Sequence, residues 1–221
     1  MSKATTKSCR IVVLCSPKGG TGKSSLARHL LVSAAQTGIS AVGLDFDKQG
    51  TLMKWQVRRD KIRITYPNFA ATEVVAFELN DWRAALARAK NYSIAIVDTP
   101  PSVEDHIDSI YGLTKAASFV IVPTGSSIDD LDSVVPWMRA LTERSVHAAF
   151  CLNKVNRRTN SFLKAKARLL KAGAVSPVEI PTLEDIHVPA SNGLSVLDHV
   201  KAGGLEAFES MWDYVKREID L

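Results

Sequence analysis

The reading of this chain turns on Ile11-Val12-Val13-Leu14-Cys15-Ser16-Pro17-Lys18-Gly19-Gly20-Thr21-Gly22-Lys23-Ser24-Ser25. An apolar run of strand character gives way to a glycine-rich turn, and a helical pattern begins at Leu26. A strand, a turn and a helix N-terminus in that order converge backbone N–H groups on an anion. The general P-loop pattern asks for Gly, four residues, then Gly-Lys-Ser/Thr. Gly22-Lys23-Ser24 supplies the closing half, but Pro17 holds the opening glycine position and a second lysine, Lys18, follows it. The stretch reads as a phosphate cradle, and Lys18 requires a role of its own.

With 221 residues the chain suffices for one domain, expected to span 1–221 with a flexible lead at 1–9. Hydrophobic content of 46% and charged content of 23% are those of an ordinary globular protein. The net charge of +5 permits an acidic partner without requiring one. Three cysteines, Cys9, Cys15 and Cys151, lack metal-ligand spacing, and the last two lie in apolar runs as core residues do. The lead carries no apolar segment of secretory type, and no run approaches a membrane span. A cytoplasmic location is the expectation.

Beyond the cradle, residues 26–36 read as a helix stopped at Thr37-Gly38, and residues 40–44 as a buried strand. That strand ends in Asp45-Phe46-Asp47-Lys48-Gln49-Gly50, with two carboxylates at the edge where α/β sheets hold ligands. Residues 51–60 read as a helix capped by Thr51, and Ile62-Arg63-Ile64-Thr65 as a short alternating strand. Residues 81–90 are an amphipathic helix capped by Asn80 or Asp81. Ser93-Ile94-Ala95-Ile96-Val97-Asp98 is a strand whose terminal carboxylate suits a metal shell, before a turn at Pro100-Pro101. Further strands are expected at 117–122, closed by Pro123, at 146–152 and at 178–180. Further helices are expected at 127–141, with Pro136 as a kink or break, at 160–171 and at 205–219. The alternation predicts a doubly wound, mostly parallel α/β sheet flanked by helices.

Taken together, Lys18-Gly19-Gly20-Thr21-Gly22-Lys23-Ser24, Asp45-Phe46-Asp47-Lys48-Gln49-Gly50 and Ile96-Val97-Asp98-Thr99-Pro100-Pro101-Ser102 resemble the ParA/MinD family of P-loop ATPases. That family carries an extra, deviant lysine, and the likeness is greatest to small ParA-type members without an N-terminal DNA-binding domain. The resemblance implies ATP and Mg²⁺ as cofactors. Backbone groups from Gly19 through Gly20, Thr21 and Gly22 to Ser24, with Ser25 beside them, would wrap the phosphates. Lys23 would reach the β- and γ-phosphates, and Ser24 would ligate Mg²⁺ with Asp98, directly or through water. Lys18 would cross to a partner's phosphates in an ATP-dependent homodimer. Asp47 would orient the attacking water and border the metal, with Asp45 supporting the loop. Asn153 would read adenine, or serve simply as a turn residue. The family commonly has proline where this chain has Lys48, which alters the loop's stiffness and charge.

The resemblance also implies a regulated surface. Lys164, Arg168 and Lys171 share one helix face, with Arg157 and Arg158 just before it, and could grip DNA phosphates without reading bases. A solvated helix face is the plain alternative. A second cluster, Lys54, Arg58, Arg59, Lys61 and Arg63, ranks lower because its residues divide between a helix and a strand. The closing helix is mostly acidic on its polar positions, so membrane attachment of the MinD kind is not expected. The implied function is positioning of a plasmid, chromosome or large protein complex on the nucleoid, with hydrolysis stimulated by a small ParB-like adaptor protein. A metabolic ATP-dependent carboxylate–amine ligase is the competing class. Iron–sulfur chemistry is disfavoured because no cysteine follows the Asp98 strand closely.

Overall fold

Strands buried on both faces should read as continuous apolar runs, because alternate residues enter opposite layers. The computed structural model, which describes residues 8–221, follows that rule. Residues 1–7 of the expected flexible lead lie outside the described residues, and Cys9 packs partly buried against one layer. Strands β1 (Arg10–Leu14), β2 (Ala41–Asp45), β3 (Val74–Ala76), β4 (Ile94–Asp98), β5 (Phe119–Thr124), β6 (Ala148–Val155) and β7 (Ile180–Pro181) form one sheet. Their order is β3-β2-β4-β1-β5-β6-β7, every pairing is parallel, and Val13 stands between Val97 and Val120. This is the doubly wound architecture expected.

The helices are α1 (Lys23–Gln36), α2 (Thr51–Thr65), α3 (Trp82–Ala89), α4 (Ile107–Ala116), α5 (Ile128–Glu143), α6 (Asn160–Ala172), the short α7 (Glu184–His187) and α8 (Leu205–Glu218). Val12, Leu14 and Ile96 face a layer holding Leu30 of α1, Trp55 of α2 and Phe208 of α8. Val13, Val97 and Val122 face the other layer, with Leu113, Met138 and Leu169.

Several local expectations are corrected. Helix α2 does not stop at residue 60, so Ile62-Arg63-Ile64-Thr65 is helix rather than strand. Leu52, Trp55, Gln56 and Arg59 form its buried face, and the polar members of that face hide it from a hydrophobic pattern. Thr51 is not the cap: Gly50 (φ 59°) opens the helix in the left-handed region. Pro123 lies inside β5. Cys15 N donates to Ile121 O and Val120 N to His147 O, so alternation turns the Pro123 nitrogen toward β1, beyond that strand's last residue. Pro136 does not break α5. It lies on the exposed side of the helix, as does Asp132 one turn before it, whose carbonyl it leaves without an N–H. Helix α4 and strand β3 were not expected.

Residues 181–204, rich in turn formers, close against α1 and α2. Gly193 (φ 77°) marks the contact, since a Cβ there would lie 2.3 Å from Arg59 N. Asp198 receives both Arg59 Nη atoms at 2.8 and 3.0 Å, with both side chains essentially buried. Arg59 also donates to Ala70 O and Gly193 O, so each of its three nitrogens has a partner in the interior. His29 Nδ1 bonds Ser195 Oγ at 2.6 Å, and its ring packs on Phe208.

Candidate functional site

Between β1 and α1 the chain reverses through Gly20 (φ 76°) and Gly22 (φ 91°) and delivers Lys23 as the first helical residue. The helix thus begins three residues earlier than its apolar pattern, with its unpaired N–H groups at the loop. A cavity of about 320 Å³ opens here, lined by Gly19, Lys23, Ser24, Arg28, Asp47 and Lys154 among others. Gly20, Gly22 and Ser25 also border it. Thr21 is buried and turns its hydroxyl to Lys18 O at 3.5 Å.

The two lysines differ. Lys23 is buried, lines the cavity and donates to Lys18 O at 3.4 Å. Burial lowers its pKa, against the pull of Asp98. Lys18 does not line the cavity: its ammonium is ion-paired at 2.9 Å with Asp130 in the first turn of α5. Asp130 in turn accepts from Ser127 Oγ at 2.6 Å. Burial opposes ionisation of Asp130, but Ser127 and Lys18 outweigh it and hold its pKa below the usual value.

The three carboxylates also divide. Asp45 is a loop organiser: its Oδ1 accepts from Asp47 N at 3.0 Å and its Oδ2 from Met53 N at 2.8 Å. Asp47, half-buried, borders the cavity and receives Gln49 N at 2.9 Å. Asp98 is buried at the end of β4, and neither of its carboxylate oxygens accepts a hydrogen bond among the described residues. Burial pushes its pKa up to about 7, eased by the Ser24 hydroxyl beside it, which stops short of hydrogen-bond geometry. A buried carboxylate left open beside a hydroxyl is a donor pair that suits a hard cation.

Asn153 reaches the loop from β6, donating through Nδ2 to Thr21 O at 2.7 Å and accepting Lys154 N at Oδ1. Both ends of its amide are committed to protein partners. Lys154, at φ 56° in a bulge of β6, reaches Gly20 O at 2.9 Å with Nζ. Sequence reasoning missed Lys154 and Arg28, although an Arg-His pair inside the apolar pattern of α1 was a signal. Arg28 holds Ser25 Oγ and Ile186 O, each at 3.0 Å, tying the cradle to α7. Burial brings its pKa down to about 10. His187 completes that wall.

The basic face of α6 is less free than its spacing suggests. Arg157 pairs with Glu179 at 2.9 Å, and Arg168 pairs with Asp132 of α5. Arg158, Lys164 and Lys171 are exposed and unpaired among the described residues. In the second cluster Arg59 is buried and Arg63 donates to Phe69 O, but Lys54, Arg58 and Lys61 line one side of a single helix. Among the described residues no helix is long and apolar enough to cross a membrane.

A search of curated proteins finds no match to the chain. Residues 12–196 match the model of the CobQ/CobB/MinD/ParA nucleotide binding domain. The fold is similar to septum site-determining protein MinD from Pyrococcus horikoshii, complexed with Mg-ADP (TM-score 0.74, 17% identity, 95% of this chain and 96% of that one). It is also similar to a variant of McdA from Cyanothece with ATP (TM-score 0.72, 14% identity, 97% and 98%). Cobyrinic acid a,c-diamide synthase from Mycobacterium smegmatis, with ADP and magnesium, is a third (TM-score 0.69, 15% identity, 96% of each). With the family model spanning most of its length, the chain belongs to the CobQ/CobB/MinD/ParA nucleotide binding domain family, as a P-loop ATPase.

Proposed function

We propose that the chain is a nucleotide-gated switch: it binds ATP with Mg²⁺, dimerises in that state, and hydrolyses ATP to release the dimer. One observation carries the reading. Lys23 lines the cavity while Lys18, five residues away, turns outward to Asp130, so the second lysine does not serve its own phosphates. Two cations facing opposite ways suit one pocket completed by a second copy, as a trans-acting finger is.

Within each cradle, the N–H groups of residues 19–24 bind and orient the phosphates, and Lys23 Nζ, already desolvated, answers their charge. Ser24 and Asp98 would hold Mg²⁺, which neutralises the β- and γ-phosphates when bound. Asp47, kept at the rim by Asp45, orients water for in-line attack. Asn153 would read adenine only by releasing Thr21 O, so we assign it first to shaping the loop. Arg158, Lys164 and Lys171 are the cations left for DNA phosphates, and a small adaptor would stimulate hydrolysis. By analogy with the likeness to McdA and MinD, the output is positioning of a cargo.

A second reading has its own observation. A cavity of about 300 Å³, sharing Asp47 and Pro101 with the phosphate cavity, is lined by Phe46, Lys48, Glu78 and His106. It could seat a small acid for a ligase of the cobyrinic acid synthase kind. Molar mass in solution separates the two. Lys18→Ala should retain ATP-analogue binding but stay monomeric where the parent chain dimerises, whereas Lys23→Ala should lose nucleotide binding. A Lys18→Ala dimer of normal stability, or product formation from a small carboxylic acid, would refute the switch.

A further inference from the structure

Helix α2 presents a face that the nucleotide site does not use. Lys54, Val57, Lys61 and Ile64 recur at i, i+3, i+7 and i+10, on one side of three turns about 15 Å long. Val57 is 43% exposed and Ile64 85%, with Tyr66 exposed just past the helix end. Lys54 and Lys61 are exposed and have no carboxylate within ion-pair distance among the described residues. Arg58 borders them, fixed by donation from Nε to Ala190 O at 3.2 Å. Asp60, the only acid within the helix, borders the apolar row on the side away from the lysines, three residues after Val57 and four before Ile64, and its Oδ1 accepts from Gln56 Nε2 at 2.8 Å. A cationic row therefore runs beside an apolar row.

That pairing selects among partners. A phosphate backbone would use the lysines and leave Val57 and Ile64 with nothing to bury against. A helix with carboxylates along one flank and apolar residues along the next satisfies both rows. Such a partner would also sit close to the chemistry. The first turn of α2 donates Met53 N to Asp45 Oδ2, and Asp45 Oδ1 accepts Asp47 N. One buried carboxylate thus links the start of α2 to the residue at the cavity rim.

We propose that the face of α2 from Lys54 to Ile64 docks an acidic amphipathic helix of a partner protein, and that docking shifts Asp47 through Asp45. The shift rests on the role given to Asp47 above; the docking does not.

The test uses the full chain with Mg²⁺ and a non-hydrolysable ATP analogue. Its probe is a labelled synthetic helix of about 18 residues, with Glu on one flank and Leu on the next. Saturable binding is expected, weakened about tenfold or more by Val57→Ser/Ile64→Ser and likewise by Lys54→Glu/Lys61→Glu. These exposed positions should leave the fold and ATP-analogue binding intact. No saturable binding overturns the proposal. So does sensitivity to the lysines alone, with a random-sequence DNA duplex displacing the peptide, which would make the face a phosphate surface. A lower molar mass of the Val57→Ser/Ile64→Ser chain with the analogue would assign the face to a second copy instead. Hydrolysis is read separately: intact peptide binding with an unchanged ATPase rate overturns the coupling, while an inactive Asp47 with intact docking does not.

Discussion

Helices α2 and α6 are both basic, and they use their charge in opposite ways. Around α6 two of the five cations expected to face DNA are occupied by carboxylates: Arg157, just before the helix, by the buried Glu179, and Arg168 by the exposed Asp132. On α2 one cation, Arg59, is drawn inside to Asp198, and the exposed Lys54 and Lys61 have no acid within ion-pair distance among the described residues. Spacing reports which residues share a face but not which charges are already spent. A buried pair fixes architecture, a surface pair silences a charge at little cost, and the unpaired lysines remain for a partner.

Breaking the inner pair of α2 should have the largest effect. Arg59→Ala strands Asp198 in the interior and should cost about 3–5 kcal/mol, read as a lowered urea midpoint. The same support contains His29, whose pKa lies well below its ordinary value, chiefly through burial with help from Arg28. The unfolded chain binds a proton there that the folded chain refuses. Stability should therefore fall as pH drops below about 6.5, by about 1.4 kcal/mol per pH unit from this residue. His29→Gln should remove that slope, and an unchanged pH profile would show that the ring is solvated. The surface of α6 should respond least. Lys164→Ala/Lys171→Ala should lower the salt dependence of DNA binding by about 2 in log–log slope, with stability within about 0.5 kcal/mol. Asp132→Asn, which frees Arg168, should raise that slope by about 1. A chain whose DNA affinity ignores all three changes would remove α6 from the DNA reading.

The sheet and the cradle were legible because their signals are local. Apolar runs as short and β-branched as Ile94-Ala95-Ile96-Val97 favour strands buried on both faces, and Gly22-Lys23-Ser24 matches the closing half of the P-loop pattern. Helix α2 is hidden beyond residue 60 because half of its buried face is Gln56 and Arg59, whose partners lie at residues 70–72 and 193–198. No window around residue 59 contains Asp198. For the same reason the turn-rich stretch 181–204 disclosed neither Ser195 against His29 nor Ile186 O against Arg28. Asp45 and Asp47 both lie at the carboxyl end of β2, as their spacing implies. Their different duties emerged only with the hydrogen bonds, since two carboxylates in one loop look alike until each N–H is assigned.

Asn153 bridges a particular gap. Its strand, β6, stands two places from β1 across the sheet, so its bond to Thr21 O spans the end of β5 over roughly two strand spacings, about 10 Å. Gly22 leaves no slack, because a Cβ there would lie 2.2 Å from Asn153 Nδ2. The cradle is thus held at two places, by its own strand β1 and by Asn153 of β6. Any event that spreads or tilts β5 against β6, however remote from the cavity, would move one of the two anchors of the loop proposed to hold phosphate.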